Sequence, residues 1–386
     1  MASLVVAGCS GQIPTPTSAR GTAPAPGTRP ATAPPAPTAA ATGTVKQTPA
    51  PRPSPSPNPT VAQLIGQKLV VAMNGVTPSA DLLGRIRRGE VGGVILFGSN
   101  ITTATALIAL IAKLRDAAAV GGQPRLLIAV DQEGGPVKRI AWAPPTLSPP
   151  QMGVIASASV ARAQGAMTGV ALARLGANVD LAPVADVPGS TASFMYQDGR
   201  TFSFSASGTA LLADAFASGL ETRGVVPTMK HFPGIGFATR NTDTNVVTIM
   251  ASSSALAPGL LPYRMAIGHH IPLIMLSNAT YTAYDPNNAA SWSHLIGVTL
   301  LRTDLGFTGV TITDSLDGTG NARGLSTRSL AVRAAEAGTD MILLTGSEAS
   351  TRAVYAALLG KARDDSIPMA TLRASYDRII ALKASH

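Results

Sequence analysis

The stretch Val225–Asp243 reads VVPTMKHFPGIGFATRNTD. Its apolar start, Val225 to Met229, is typical of a short strand that is buried on both faces of a sheet. Lys230 and His231 follow directly, and a Pro-Gly pair then ends regular structure and opens a polar loop. Because binding and catalytic residues are concentrated on loops that a rigid scaffold positions, this stretch indicates the edge of an active site.

Similar apolar runs recur along the chain and are separated by segments with helical spacing. The predicted strands cover residues 67–73, 91–97, 125–130, 177–182, 225–229, 272–276, 309–313 and 340–344. The predicted helices cover residues 102–120, 153–175, 205–223, 252–269, 291–304, 326–338 and 349–384. Eight buried strands that alternate with helices predict an α/β fold, a (β/α)8 TIM barrel over residues 61–386. A doubly wound sheet is the alternative, but no G-x-G-x-x-G follows the first strand and no G-x-x-x-x-G-K-[ST] occurs.

The first sixty residues differ in composition from the rest of the chain. Cys9 follows an apolar run and two small residues, a pattern that resembles the lipobox of bacterial lipoproteins. Residues 1–9 form only a partial signal, since no Lys or Arg precedes Cys9. Either the start of this chain lies inside a longer signal, or the match to the lipobox is accidental. Residues 10–60 are rich in Pro, Ala and Thr and predict a disordered linker, because they have too few apolar side chains to form a core. We expect an exported protein of the cell envelope, held at the outer face of the cytoplasmic membrane only by a lipid on Cys9.

The charge and the cysteine content exclude several classes of protein. The formal net charge is +9, but residues 1–60 contribute 4 of these charges, and the remainder has no Lys/Arg-rich run. Since aromatic residues make up only 4% of the chain, we expect no nucleic-acid partner. Cys9 is the only cysteine, which excludes an intramolecular disulfide and a cysteine-based metal site. No H-E-x-x-H motif occurs, and we expect neither a metal nor a cofactor.

A parallel barrel carries its functional residues on the loops that follow the carboxyl ends of its strands. Charged side chains stand at these positions after strands three, four, five and seven: Asp131, Glu133, Arg139, Asp186, Asp198, Arg200, Lys230, His231 and Asp314. Asp314 directly follows an apolar run, where a barrel presents a reactive carboxylate. The carboxylates after strand three can instead solvate a turn. Arg139 and Arg200 can instead lie at the surface or pair with Asp131 and Asp198.

Three motifs together resemble those of family 3 glycoside hydrolases. They are DQEGGPVKR at Asp131–Arg139, KHFPGIG at Lys230–Gly236 and TDSL at Thr313–Leu316, in that order within residues 61–385. The single-domain β-N-acetylhexosaminidase branch, in its exported lipoprotein type, fits best. The resemblance implies that Asp314 is the catalytic nucleophile. It also implies that five residues bind the terminal sugar: Asp131, Arg139, Arg200, Lys230 and His231.

The chain departs from this branch on the loop after strand five. The branch usually carries an Asp-x-His pair there, with the histidine as acid and base, whereas this chain has Asn241 and Asp243. The second histidine of the KHFPGHG run is replaced by Ile235. Asp243 is our candidate for the acid and base, which requires a pKa well above the usual value of about 3.9. Glu133 or Asp186 can serve instead, or general-acid catalysis is weak.

The resemblance implies a retaining exo-β-N-acetylglucosaminidase that removes terminal N-acetylglucosamine from peptidoglycan fragments of the cell wall. Its partner is then a carbohydrate, a glycan that contains N-acetylglucosamine. Two alternatives stay open at this point. The first is a sugar-binding lipoprotein that is non-catalytic because the usual acid is absent. The second is a Schiff-base lyase, since Lys230 ends a predicted barrel strand.

Overall fold

The computed structural model of the protein describes residues 59–386, in which helices surround a barrel of strands. The barrel strands, in chain order, are β1 (Leu69–Ala72), β2 (Gly93–Leu96), β3 (Leu127–Val130), β4 (Val179–Asp180), β5 (Val226–Phe232), β6 (Leu273–Leu276), β7 (Val310–Thr313) and β8 (Ile342–Leu344). The helices are α1 (Val61–Gln67), α2 (Ala80–Arg87), α3 (Ala104–Val120), α4 (Pro149–Ile155), α5 (Ala158–Leu175), α6 (Phe194–Gln197), α7 (Ala206–Glu221), α8 (Ser253–Leu256), α9 (Leu261–Gly268), α10 (Leu316–Arg323), α11 (Thr327–Glu336), α12 (Glu348–Arg363) and α13 (Met369–Ser385). The predicted signal at residues 1–9 with Cys9, and the predicted linker up to residue 58, lie outside the described residues.

The barrel strands form one sheet that closes on itself. Its order is β7-β6-β5-β4-β3-β2-β1-β8, and neighbouring strands are parallel. A bridge between Ile312 and Met341 joins β7 to the start of β8. There the N–H of Met341 donates to the carbonyl of Thr311 at 2.8 Å, and the N–H of Thr313 donates to the carbonyl of Met341 at 3.0 Å. The predicted TIM barrel is confirmed.

Two apolar cores stabilise the barrel. The interior core contains alternate strand residues, among them Val70, Ile95, Leu127, Val179, Val226, Leu273, Val310 and Leu343. The outer core lies between strands and helices and takes the intervening residues, among them Val71, Val94, Ile128, Met229 and Ile274. Because both faces of the strands are buried, their sequences are continuous apolar runs. Ile379 and Leu382 of α13 pack on the interior core, and Lys383 of that helix donates to the carbonyl of Gly92, so α13 covers the amino-terminal end of the barrel.

Two long predicted helices are interrupted in the structure. The predicted helix at 153–175 is divided into α4 and α5, because Ala156 adopts a left-handed conformation with φ 53° and Ser157 caps the second helix. The predicted helix at 252–269 is divided by a 3-10 turn, Ala257–Leu260, which contains a proline. Hydrophobic periodicity continues across both interruptions, so it did not reveal them.

Further segments also differ from the prediction. The predicted helix at 291–304 consists of a 3-10 turn and then a π-helix, Leu295–Asp304. Helix α10, with the sequence LDGTGNAR, was not predicted, because its two glycines lower helix propensity and it has no apolar stripe. Within residues 59–386 no helix is both long enough and apolar enough to cross a membrane.

Short strands outside the barrel shape the loops at its carboxyl-terminal end. Gln132–Gly134 and Val137–Lys138 form a hairpin in the loop after β3. Thr248–Ile249, Thr280–Tyr281 and Asp285–Ala289 form a small sheet that joins the loop after β5 to the loop after β6. These contacts fix the loops that carry the charged residues singled out in the sequence.

Candidate active site

A pocket of about 580 Å³ opens at the carboxyl-terminal ends of the barrel strands. This volume is in the range of small-molecule sites. The site residues predicted within the barrel all line the pocket: Asp131, Arg139, Arg200, Lys230, His231, Asp243 and Asp314. Glu133 and Asp186, the two alternatives for the acid, are buried and do not line it.

One part of the site is an ion-paired cluster, defined by Asp131, Glu133, Arg139, Arg200 and Lys230. Lys230 Nζ lies 2.8 Å from Asp131 Oδ1 and 2.7 Å from Glu133 Oε1. Arg200 donates two hydrogen bonds to Glu133, of 2.9 Å from Nε and 2.8 Å from Nη2. Arg139 Nη2 lies 3.4 Å from Asp131 Oδ2. Each charge in the cluster therefore has an opposite charge next to it.

The ion-paired cluster keeps its charges fixed. Burial alone would raise the pKa of Glu133, but Arg200 and Lys230 outweigh burial and lower this pKa to about 2. Burial alone would lower the pKa of Lys230, but Asp131 and Glu133 raise it above its usual value. Lys230 is thus a protonated ammonium group, whereas a Schiff-base lysine must be a free amine. Arg200 pairs with Glu133, so the alternative of an Arg200–Asp198 pair is wrong.

Strand β5 runs to Phe232, so Lys230 and His231 belong to the strand. The sequence had suggested instead that they follow it. The peptide bond between these two residues is cis. His231 Nδ1 lies 2.8 Å from Asp186 Oδ2, and Asp186 Oδ1 accepts the backbone N–H groups of His231 and Ile235 at 3.2 and 2.9 Å. Asp186 therefore orients the imidazole and leaves Nε2 as the ring nitrogen available to the pocket.

The second part of the site is an acidic pair, Asp243 and Asp314. Asp314 directly follows β7, and its Oδ1 accepts the N–H of Ser315 at 2.8 Å. Asp243 lies on the loop after β5, where its N–H donates to Oδ1 of Asn241 at 2.8 Å. This loop packs against Gly318 of α10, where a Cβ atom would lie 2.7 Å from the carbonyl oxygen of Asp243. The absence of a side chain at Gly318 lets the Asp243 loop approach the helix that follows Asp314.

Within the part of the chain that the structure describes, the acidic pair has no cation partner. Across residues 59–386, the ion pairs include neither Asp243 nor Asp314. Asp243 is accessible at the pocket mouth, yet the surrounding protein removes part of its hydration. This desolvation, followed by the negative charge of Asp314, raises the pKa of Asp243 to about 6. Asp243 can therefore hold a proton in weakly acidic solution, as a general acid must.

Apolar side chains that the sequence analysis did not single out also line the pocket. They include Phe97, Val137 and Phe194. The ring centroid of Phe97 lies 5.4 Å from the guanidinium carbon of Arg139. The position of Phe97 directly after β2 was a usable signal, but an aromatic residue there is also typical of a core. Phe194 offered no such signal, because it lies far along the loop after β4.

The model of the Glycosyl hydrolase family 3 N terminal domain matches residues 60–382. The chain belongs to this family. It is therefore a glycoside hydrolase, and the resemblance based on the three sequence motifs is confirmed at the level of the family. The alternatives of a non-catalytic sugar-binding protein and of a lyase lose their support.

Individual family 3 relatives are similar over most of the barrel. An "Uncharacterized secreted glycosyl hydrolase" of Arthroderma benhamiae is 31% identical over 333 residues, which are 83% of this chain and 92% of the relative. A "Beta-hexosaminidase" of Shewanella frigidimarina is 30% identical over 297 residues, 74% of this chain and 84% of the relative. A family 3 β-N-acetylglucosaminidase structure from Paenibacillus superposes with a TM-score of 0.81 at 29% identity, covering 85% of this chain and 63% of that one. A β-N-acetylhexosaminidase structure from Beutenbergia cavernae superposes with a TM-score of 0.78 at 30% identity, covering 85% of this chain and 99% of that one.

Proposed function

We propose that the protein is a retaining exo-β-N-acetylglucosaminidase that releases terminal N-acetylglucosamine from peptidoglycan fragments. The observation that carries this proposal is the acidic pair, two carboxylates that have no cation partner among the described residues. Four residues of the ion-paired cluster line the same pocket. The names of the Shewanella and Paenibacillus relatives, a hexosaminidase and a β-N-acetylglucosaminidase, support N-acetylglucosamine as the sugar that is released. The peptidoglycan source is inferred from the family resemblance and the predicted export, since no residue specifies it.

In the first step, the Asp314 carboxylate attacks the anomeric carbon of the terminal sugar. The bond from that carbon to the aglycone oxygen breaks, and Asp243 donates its proton to the departing oxygen. The product is a glycosyl ester on Asp314 and a free aglycone. A pKa of about 6 suits Asp243 to this task, because a carboxyl group with its usual pKa would already have lost the proton.

In the second step, the Asp243 carboxylate accepts a proton from a water molecule. The water oxygen attacks the anomeric carbon and displaces Asp314. Because two displacements occur at the same carbon, the released N-acetylglucosamine keeps the β configuration. The same residue thus acts first as acid and then as base.

The residues proposed to hold the sugar are Asp131, Arg139, Arg200, Lys230 and His231. Their fixed charges and the oriented imidazole suit hydrogen bonds to sugar hydroxyl groups. The two alternatives for the acid fit poorly, because Glu133 is kept anionic by its cation partners and Asp186 is committed to three hydrogen bonds behind His231.

The proposed cellular location is the outer face of the cytoplasmic membrane, through a lipid on Cys9. The name of the Arthroderma relative, which contains the word secreted, supports export. Expression of the full chain with a radiolabelled fatty acid tests the anchor. We expect label in the wild type and none in Cys9→Ser, and equal labelling would contradict the anchor.

The proposed function is tested by replacing Asp314 with asparagine. This change removes the nucleophile and keeps the side-chain shape, so kcat for an aryl β-N-acetylglucosaminide is expected to fall about 10⁴-fold or more. Asp304→Asn, on an exposed residue far from the pocket, is the matched control and should retain full activity. Unchanged turnover in Asp314→Asn, or a wild type that cleaves no such substrate, would overturn the proposal.

A further inference from the structure

Asn278 lies two residues beyond the end of β6, and β6 pairs with β7, the strand that Asp314 directly follows. Its side chain is buried, with 1% exposure, and its Nδ2 donates a hydrogen bond of 2.7 Å to the backbone carbonyl of Ser315. Only the amide nitrogen can make this contact, since the partner is a carbonyl oxygen. Among the described residues, Oδ1 of Asn278 has no hydrogen-bond partner, so the bond to Ser315 is the main interaction of this side chain.

Ser315 is held at three atoms. Its N–H donates to Oδ1 of Asp314 at 2.8 Å, and its Oγ lies 2.6 Å from Oγ1 of Thr345 after β8. Its carbonyl accepts from Asn278. Contacts to both neighbouring loops therefore fix Ser315, whose N–H binds the Asp314 carboxylate.

The Asn278 backbone is itself anchored. Its carbonyl accepts from Nη2 of Arg323 at 3.2 Å, and the guanidinium carbon of Arg323 lies 5.2 Å from the ring centroid of Trp292. Arg323 belongs to α10, the helix that begins directly after Ser315. Two hydrogen bonds thus join the loop after β6 to the segment after β7. Asn278 donates to the carbonyl of Ser315, and Arg323 donates to the carbonyl of Asn278.

We propose that Asn278 is a positioning residue for Asp314, a role that rests on the proposed function of Asp314 as nucleophile. Asn278 holds the Ser315 peptide, and the Ser315 N–H holds the attacking carboxylate in line with the anomeric carbon. Displacement of a reacting group by about 1 Å can cost about 10²-fold in rate. Loss of the Asn278 bond should therefore slow attack by Asp314 and leave sugar binding unchanged.

Two variants test this role. Asn278→Asp keeps the shape but replaces the donor by an acceptor, and Asn278→Ala removes the donor without adding a charge. The readout is the rate of covalent labelling by a 5-fluoro N-acetylglucosaminyl fluoride, whose leaving group needs little protonation. We expect both variants to label about 10-fold to 100-fold more slowly, while the dissociation constant for N-acetylglucosamine stays unchanged.

Asn178→Asp is the matched control, because Asn178 is a buried asparagine whose Nδ2 also donates to a backbone carbonyl, that of Leu126, at the other end of the barrel. It should lose stability in thermal unfolding and keep its labelling rate. A wild-type labelling rate in both Asn278 variants would overturn the inference. A slower rate in Asn278→Asp alone would also overturn it, because the added charge would then explain the loss. If Asn278→Asp does not fold, Asn278→Ala decides. A wild type that is not labelled would instead overturn the proposed function.

Discussion

The ion-paired cluster and the acidic pair share one pocket but differ in how their charges are balanced. In the cluster, Lys230 contacts two carboxylates and Arg200 contacts Glu133 through two nitrogens. In the acidic pair, Asp243 and Asp314 have no cation partner among the described residues. Both groups lie at the carboxyl-terminal end of the same barrel.

The difference shows how one pocket can both bind and react. Opposite charges in contact keep each other ionised, so the pKa of Glu133 falls to about 2 and the cluster does not change with pH near neutrality. In the acidic pair, desolvation by the surrounding protein and, after it, the negative charge of Asp314 disfavour the ionised carboxylate, so the pKa of Asp243 rises to about 6. The cluster is suited to hold a sugar, and the pair is suited to exchange a proton.

After the loss expected for Asp314→Asn, the largest effect is expected from removing the acid of the pair. Asp243→Ala should lower kcat/KM about 10²-fold to 10⁴-fold for alkyl glycosides, whose leaving oxygen needs a proton. Dinitrophenyl glycosides, which leave without a proton, should lose far less in the first step. The measurement is kcat/KM against leaving-group pKa in wild type and variant, and equal losses for all substrates would place the acid elsewhere.

A smaller effect is expected from breaking the cluster. Glu133→Gln leaves Lys230 and Arg200 buried with a missing carboxylate, so the free energy of unfolding should fall by about 3–5 kcal/mol. Urea denaturation measures this loss, and KM should rise because Arg200 loses its carboxylate partner and Lys230 keeps only Asp131. Glu336→Gln, on an exposed carboxylate of α11, is the control and should change stability by no more than about 0.5 kcal/mol. A loss of unfolding free energy no larger than that of the control would show that Glu133 does not stabilise the folded protein through the cluster.

The smallest expected effect is a pH dependence that only the pair produces. Since the pKa of Asp243 is raised to about 6, its protonated form persists up to that pH and is lost above it. For alkyl glycosides kcat/KM should therefore fall about tenfold per pH unit above about pH 6, and Asp243→Ala should lack this step. A step near pH 4, the range of an unshifted carboxyl group, would mean that neither desolvation nor the charge of Asp314 raises the pKa of Asp243.

Much of the fold was predictable because strands buried on both faces leave continuous apolar runs in the sequence. The β2, β6 and β7 runs were placed within two residues of their bounds. The breaks in two helices were not predicted, since a left-handed Ala156 and a 3-10 turn at Ala257–Leu260 leave the hydrophobic pattern intact. The rule that function follows strand ends also found the site residues other than Asp243, which only the family resemblance singled out. The rule could not pair Arg200 with Glu133, because they lie on different loops.

By itself, the sequence determined that eight buried strands alternate with helices and which charged residues follow them, because local hydrophobic pattern and strand order suffice for that. Only the tertiary structure decided which charges are balanced. The Asp243 loop reaches α10 because Gly318 leaves room. The Asp243 carboxylate then lies near Asp314 and has no cation partner among the described residues. A pKa depends on burial and on neighbours from distant parts of the chain, and those are set by the folded packing of the loops.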